Sequence, residues 1–291
     1  MVTRLGHVKL RVRDVDASVE FLGATLGLRE VDRVDGCSYL TCNERHHELI
    51  LAPGQKVGYE HIGLEVPDAA TLEETVAKAE SAGGRRLAAV EGEPGIAGAA
   101  LVEGPAGHRF KLFHGMATDQ DPSPPPGAAG VRAERCEHVS LDLRRLAPMA
   151  AFLRDGLGFQ FSDQIGNNGM WFRCEEIHHG IAMVRTPKIG LAHYAFALSS
   201  IEDFKRIGDH LRQIGQKFAF GPGRHGPGNN LFIYFFDPAG VMVECCSEMA
   251  LVGRGHDYQP GKWKLRPGNV SLWGGLPTLR FLTANTPVAQ G

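Results

Sequence analysis

Gly104-Pro105-Ala106-Gly107-His108-Arg109-Phe110-Lys111 returns in the second half of the chain as Asp237-Pro238-Ala239-Gly240-Val241-Met242-Val243-Glu244. Each copy reads as a tight Pro-Ala-Gly turn that opens a short apolar strand. Working outward, Gly6-His7-Val8-Lys9-Leu10 returns as Glu137-His138-Val139-Ser140-Leu141, and Glu60-His61-Ile62-Gly63-Leu64 returns as Ala192-His193-Tyr194-Ala195-Phe196. The chain is an internal duplication, and a repeat of this kind decides the architecture before any single motif does. Two histidines survive in both copies, but the last position is Lys111 in the first and Glu244 in the second. A protonated lysine cannot ligate a metal and a carboxylate can, so the second copy is the one equipped for metal chemistry.

The proline cluster Asp119-Gln120-Asp121-Pro122-Ser123-Pro124-Pro125-Pro126-Gly127 forbids both helix and central strand and separates the copies. Residues 1–118 are expected to form a first domain, 119–131 a linker, 132–250 a second domain and 251–291 an extension with no earlier counterpart. Within the second copy, a strand over 137–143 precedes a helix over 146–157 that Gly158 ends, then strands over 169–173 and 177–184. The pattern restarts with a strand over 193–198. Ile201, Phe204, Ile207, Leu211 and Ile214 follow at helical spacing, then strands over 231–236 and 241–245. The unit is βαβββ, present four times. The expected class is α+β, with the modules paired into two half-open barrel domains.

Bulk properties narrow the function. The 291 residues are 43% hydrophobic, enough for two cores. Lys+Arg 31 against Asp+Glu 33 leaves a net charge of -2, which gives no electrostatic basis for binding nucleic acid or an anionic membrane. No targeting segment or long apolar run is read at the start of the chain, and the six cysteines have no CxxC spacing; a cytoplasmic protein with reduced thiols is expected.

Strand alternation tests whether the candidate ligands can converge. On 137–143, Val139, Leu141 and Leu143 share one face, leaving His138, Ser140 and Asp142 on the other. His193 opposes Tyr194, Phe196 and Leu198, and Glu244 opposes Val243 and Cys245. Each polar residue projects opposite a bulky apolar set, so a curled sheet can bring all three into one cavity. Two histidines and one carboxylate leave coordination positions open, a set that suits Fe(II), with Mn(II) also compatible; zinc on the same ligands would suit hydrolysis.

The run Gly223-Arg224-His225-Gly226-Pro227-Gly228-Asn229-Asn230-Leu231-Phe232-Ile233-Tyr234, followed by Asp237-Pro238-Ala239-Gly240 and Glu244, resembles the signature of type I extradiol ring-cleavage dioxygenases. These belong to the vicinal oxygen chelate superfamily, with its glyoxalase-like fold. The resemblance covers nearly the whole chain and implies an enzyme that inserts both atoms of O2 into a catechol-type diol at a non-haem Fe(II) site, in aromatic catabolism. By it, His138, His193 and Glu244 are metal ligands, and His225 and Tyr234 stabilise charge near the catechol oxygens. A further histidine, His179 with His178 as the competing assignment, acts as acid–base residue on the oxygen side. Trp171 and Phe172 are candidate walls of an aromatic pocket. A homo-oligomer is implied as well.

The first copy acts as an internal control. His7, His61 and His46-His47 mirror the second copy's histidines, while the positions matching His225, Tyr234 and Glu244 fall near Gly92, Leu101 and Lys111. Without a carboxylate there, no catalytic metal is expected in the first domain. Gly221-Pro222-Gly223-Arg224-His225-Gly226 fits GxGxxG literally, but a strand follows it rather than a helix, so it reads as a glycine loop carrying His225 over the site. Trp263, Trp273 and Pro277 of the extension are candidates to close over the pocket. The alternative readings are a metal-dependent isomerase or lyase of the glyoxalase type, which needs no His179–His225–Tyr234 set, and a non-catalytic small-molecule binding protein, which needs no ligands at all.

Overall fold

A computed structural model describes residues 1–87, 93–118, 129–255 and 257–290. Residues 119–128 of the linker, and Gly92, lie outside the described residues. The first copy runs β1 (Arg4–Val12), α1 (Val15–Leu26), β2 (Arg29–Val34), β3 (Cys37–Thr41), β4 (Leu49–Pro53), β5 (Gly58–Glu65), α2 (Ala69–Ser81), β6 (Arg85–Arg86), β7 (Gly98–Glu103) and β8 (Arg109–His114). The second runs β9 (Arg135–Leu143), α3 (Leu146–Ala151, continued by a π-helical turn over Phe152–Gly156), β10 (Gln160–Ile165), β11 (Gly169–Arg173) and β12 (Ile181–Arg185). It continues with β13 (Gly190–Ala197), α4 (Ile201–Gln213), β14 (Phe220–Arg224), β15 (Leu231–Phe236) and β16 (Met242–Ser247). The extension contributes β17 (Gly261–Trp263), α5 (Pro267–Val270) and α6 (Leu279–Thr283).

Strand order shows the duplication directly: β2-β3-β4-β1-β5-β8-β7-β6 in one sheet, and β14-β15-β16-β13-β9-β12-β11-β10-β17 in the other. In each, a module's first and last strands pair in parallel, and the two modules join through one antiparallel seam, β1/β5 or β9/β13. The two-module α+β architecture is the one the repeat predicts. Local chemistry fixes the helices. Asp14 accepts the Ala17 amide at the start of α1, and Gly27, at φ 69°, ends it. Ser200 and Asp203 form a reciprocal cap on α4, whose Phe204, Ile207 and Leu211 are buried.

One contiguous apolar core draws on both copies. Phe152 packs against Phe110 with ring centroids 5.6 Å apart, and Phe21 meets Phe235 at 6.1 Å. The extension ties the halves further. β17 adds to the edge of β10, Thr286 pairs with Leu191 on β13, and Val288 pairs with Tyr59 on β5. Among the described residues no helix is long and apolar enough to cross a membrane.

Three details depart from the sequence reading. The strand expected over 177–184 begins only at Ile181, because His178 and His179 sit in a turn that the His178 amide ties to the Ala250 carbonyl at 2.8 Å. The expected glycine loop is in part strand β14, in register with β15 through Gly223 and Phe232. Glycine is required there by contact, since a Cβ on Gly223 would lie 2.5 Å from the Phe232 ring. β10 was not anticipated because its mixed burial leaves no clean alternation.

Candidate metal centre and its cavity

The antiparallel seam places the first two candidate ligands side by side. His138 on β9 and His193 on β13 present their Nε2 atoms 3.3 Å apart. β16, parallel to β13, brings a Glu244 oxygen to 2.9 Å from His138 Nε2 and 3.0 Å from His193 Nε2. All three side chains are buried or nearly so. Burial alone would raise the Glu244 carboxyl, but His138, His193 and His225 around it hold it well below the usual carboxylate range. Burial likewise opposes charge on His138, yet Glu244 and Glu137 raise it to about 9, so His138 and Glu244 form an ion pair here. The donor set of one anionic oxygen and two imidazole nitrogens, converging at these separations, fits a divalent first-row metal. Behind His138, Glu137 lies 3.5 Å from Nδ1 without hydrogen-bond geometry and accepts from the Cys246 thiol.

A cavity of about 510 Å³ opens in front of these atoms. His138, Ser140 and Asp142 line it together, as strand alternation predicts, and His179, His225 and Tyr234 line it too. His225 is fixed at both nitrogens: Nδ1 lies 2.6 Å from the Val270 carbonyl, to which it can donate, and Nε2 lies 3.1 Å from the Tyr234 hydroxyl. Its ring stacks on Phe232 at 3.9 Å. Tyr234 is buried, and burial together with Glu244 pushes its hydroxyl well above the ordinary range, so it stays a proton donor. His179 sits with its ring 4.5 Å from that of His138, and burial holds it well below the usual histidine range. His178 lies behind it, outside the cavity lining, at 3.0 Å between Nδ1 atoms.

Trp171 lines the cavity, but Phe172 does not. Adjacent strand residues face opposite ways, and Phe172 is buried in the core against Phe161. The extension does cover the cavity, though with other residues than those expected: Leu265, Val270 and Phe281–Ala284 form the wall. Trp273 stays 53% exposed over Arg224, and the Trp263 indole donates to Asp163 instead. Asn230, whose amide donates to Glu244 Oε1 at 3.3 Å, was missed, although it stands inside the quoted signature.

The first copy also departs from expectation. A carboxylate is present there after all: Glu93 turns in beside the position read as Gly92. Its Oε2 accepts from Lys111 Nζ at 2.5 Å, and its Oε1 lies 3.4 Å from His7 Nε2 and 3.6 Å from His47 Nε2. His7 and His61 bring their Nε2 atoms within 3.1 Å, the same seam geometry as in the second copy. Burial opposes the Glu93 charge, but His47, His7, His61 and Lys111 hold its carboxyl far down, while burial lowers Lys111. Acid and base have exchanged places, with Lys111–Glu93 where the second copy has Glu244–His225. An ammonium therefore already neutralises the carboxylate in the first copy's cluster.

Paired βαβββ modules around a buried two-histidine, one-carboxylate cluster define a protein class in which the duplicated scaffold carries a metal-binding cavity. The Glyoxalase/Bleomycin resistance protein/Dioxygenase superfamily profile matches residues 4–112 and 135–245, and the chain belongs to that superfamily. It is 27% identical over 289 residues to a manganese-dependent 2,3-dihydroxybiphenyl 1,2-dioxygenase of Geobacillus genomosp. 3, covering 90% of each chain. It is 25% identical over 298 residues to an iron-dependent extradiol dioxygenase of Rhodococcus jostii (strain RHA1), covering 94% of this chain and 96% of that one. The fold superposes on homoprotocatechuate 2,3-dioxygenase from Arthrobacter globiformis with a TM-score of 0.90 at 23% identity, over 99% of this chain and 93% of the other. The two relatives are both named as dioxygenases, one manganese-dependent and one iron-dependent and extradiol.

Proposed function

We propose that the protein is an extradiol dioxygenase, with His138, His193 and Glu244 holding Fe(II) or Mn(II), that opens catechols bearing an apolar ring substituent. The observation that carries this reading is the convergence of the three ligand atoms at the floor of a cavity that also contains His179, His225 and Tyr234. A bound divalent metal would supply open positions for the two catechol oxygens and for dioxygen. Tyr234, kept protonated by burial, and His225, held by Val270, stabilise negative charge on the diol oxygens. His179 moves a proton between the diol and the oxygen side of the cavity. Trp171, Val184, Phe220, Met242, Leu265 and Phe281 make much of the remaining wall apolar, with Asp142, Asn168, Thr186 and Asn269 as polar members. Lys188, the one Lys or Arg among the described lining residues, lies at the exposed end of the lining and donates to the Thr283 carbonyl. Apolar burial then favours an aryl or alkyl substituent. The test is to load the protein anaerobically with Fe(II), and separately with Mn(II), and admit oxygen with catechol, 3-methylcatechol, 2,3-dihydroxybiphenyl and 3,4-dihydroxyphenylacetate. Oxygen uptake and a yellow ring-opened product are expected, with the highest kcat/KM on the aryl-substituted diol. No uptake on any diol with either metal would overturn the assignment, and preference for the carboxylated diol would overturn the substrate class.

A further inference from the structure

His179 does not stand alone. Its Nδ1 meets His178 Nδ1 at 3.0 Å with the rings at 89°, and His178 Nε2 lies 3.3 Å from Asp163 Oδ2. His178 and Asp163 are both buried, 1% and 3% exposed at their side chains, so no solvent competes for these nitrogens. Asp163 is fixed from the other side. The Tyr258 hydroxyl at 2.9 Å and the Gly261 amide at 2.6 Å donate to Oδ1, and the Trp263 indole at 2.7 Å donates to Oδ2. A register shift in β10 between Phe161 and Asp163 turns this carboxylate inward.

The first copy repeats the arrangement in slack form. His46 Nδ1 meets His47 Nδ1 at 3.0 Å, and β2 has the same register shift between Glu30 and Asp32. There, however, Asp32 stands 3.9 Å from His46 Nε2 with its side chain 40% exposed. The aspartate is drawn in and clamped only in the copy whose second histidine lines the large cavity.

We propose that Asp163 and His178 are positioning residues that fix the tautomer of His179 and carry its proton. The idea rests on the ring-opening reading above. With Asp163 ionised, the carboxylate 3.3 Å away favours the His178 proton on Nε2, though without hydrogen-bond geometry, and the His178 Nδ1 lone pair accepts Nδ1–H of His179, leaving His179 Nε2 unprotonated toward the cavity. When His179 Nε2 takes the proton of a diol hydroxyl, the O–H bond breaks and an Nε2–H bond forms. The Nδ1–H of His179 passes to His178 Nδ1, and the resulting imidazolium is balanced by Asp163. The return step reverses each transfer, so His179 serves as base and then as acid with no net change of charge in the chain.

Two substitutions separate carrying from holding. In His178→Asn the side-chain amide can still meet His179 Nδ1 but cannot take up its proton beside Asp163; in His178→Leu it can do neither. Both are expected to lower kcat by about 30-fold, with KM within about twofold and metal content unchanged. Full kcat in His178→Leu removes any role, and full kcat in His178→Asn alone reduces His178 to a prop and overturns the proton-carrying step. A readout independent of turnover is the tautomer state by 15N NMR of the histidine-labelled, zinc-loaded protein. His179 is expected protonated at Nδ1 and His178 at Nε2, and Asp163→Asn is expected to shift that population. The opposite tautomers in the wild-type protein overturn the proposal. If the tautomers are as expected while the wild-type protein opens no diol, the enzymatic assignment fails and the hydrogen-bonded chain stands.

Discussion

Glu244 and Lys111 occupy equivalent strand positions, and each is compensated by the group opposite. Glu244 is buried against two imidazoles and the Asn230 amide, so its negative charge is held away from solvent at the cavity floor. Glu244→Gln keeps the volume and removes the charge. Metal affinity is expected to fall by at least about 100-fold, read by metal analysis after gel filtration, with turnover falling in parallel. Lys111→Met does the converse in the first copy, leaving Glu93 buried without its cation. The expected cost is about 3–5 kcal/mol in denaturant unfolding, mostly recovered in the double variant Lys111→Met/Glu93→Gln, with kcat of the folded enzyme unchanged. Recovery in the double variant is what separates an unpaired buried charge from a simple packing defect.

At the scale of elements, β14 and β15 set the position of His225 relative to His138, His193 and Glu244. The Phe232 ring fills the space above Gly223 and stacks on His225 in the same stroke. Gly223→Ala pushes that ring away, with an expected stability loss of about 1–3 kcal/mol and a larger loss in kcat than in metal content, measured side by side. This element also marks the limit of what the sequence carries. His138, His193 and Glu244 were legible because period-two alternation and an internal repeat both speak to strand residues, and each element agreed with its duplicate. β14 was not legible, since Gly221-Pro222-Gly223 has the composition of a turn and becomes strand only when β15 supplies the partner. Phe172 was misread for lack of a face assignment relative to Trp171. Glu93, Asp163 and the covering segment around Phe281 owe their roles to contacts between segments far apart in sequence, which leave no periodic trace.

For the molecule as a whole, the shared core makes separate unfolding of the two copies costly, because rings such as Phe110 and Phe152, or Phe21 and Phe235, lose each other. A single calorimetric transition with equal van't Hoff and calorimetric enthalpies is expected; two resolved transitions would contradict a joint core. Its pH dependence has a defined sign. Burial pushes the Asp237 carboxyl up to about 7, against hydrogen bonds from the Val241 amide and the Tyr194 hydroxyl. The folded state therefore holds this proton to higher pH than the unfolded chain does. Its contribution to stability is largest below about pH 4 and is lost as pH rises toward 7, a change on the order of 4 kcal/mol. Asp237→Asn is expected to flatten that slope in unfolding experiments between pH 4 and 8.

The last strand contacts of the chain give the first copy a use that its own chemistry does not. After covering the cavity with Phe281–Ala284, the extension hydrogen-bonds Leu191 through Thr286 and then fastens to Tyr59 through Pro287 and Ala289. The segment that covers the cavity is thus anchored on β5, in the other copy. Loosening that anchor at Tyr59 is expected to free the wall formed by Phe281–Ala284, so the first copy serves as the frame on which the second copy's cavity wall is hung.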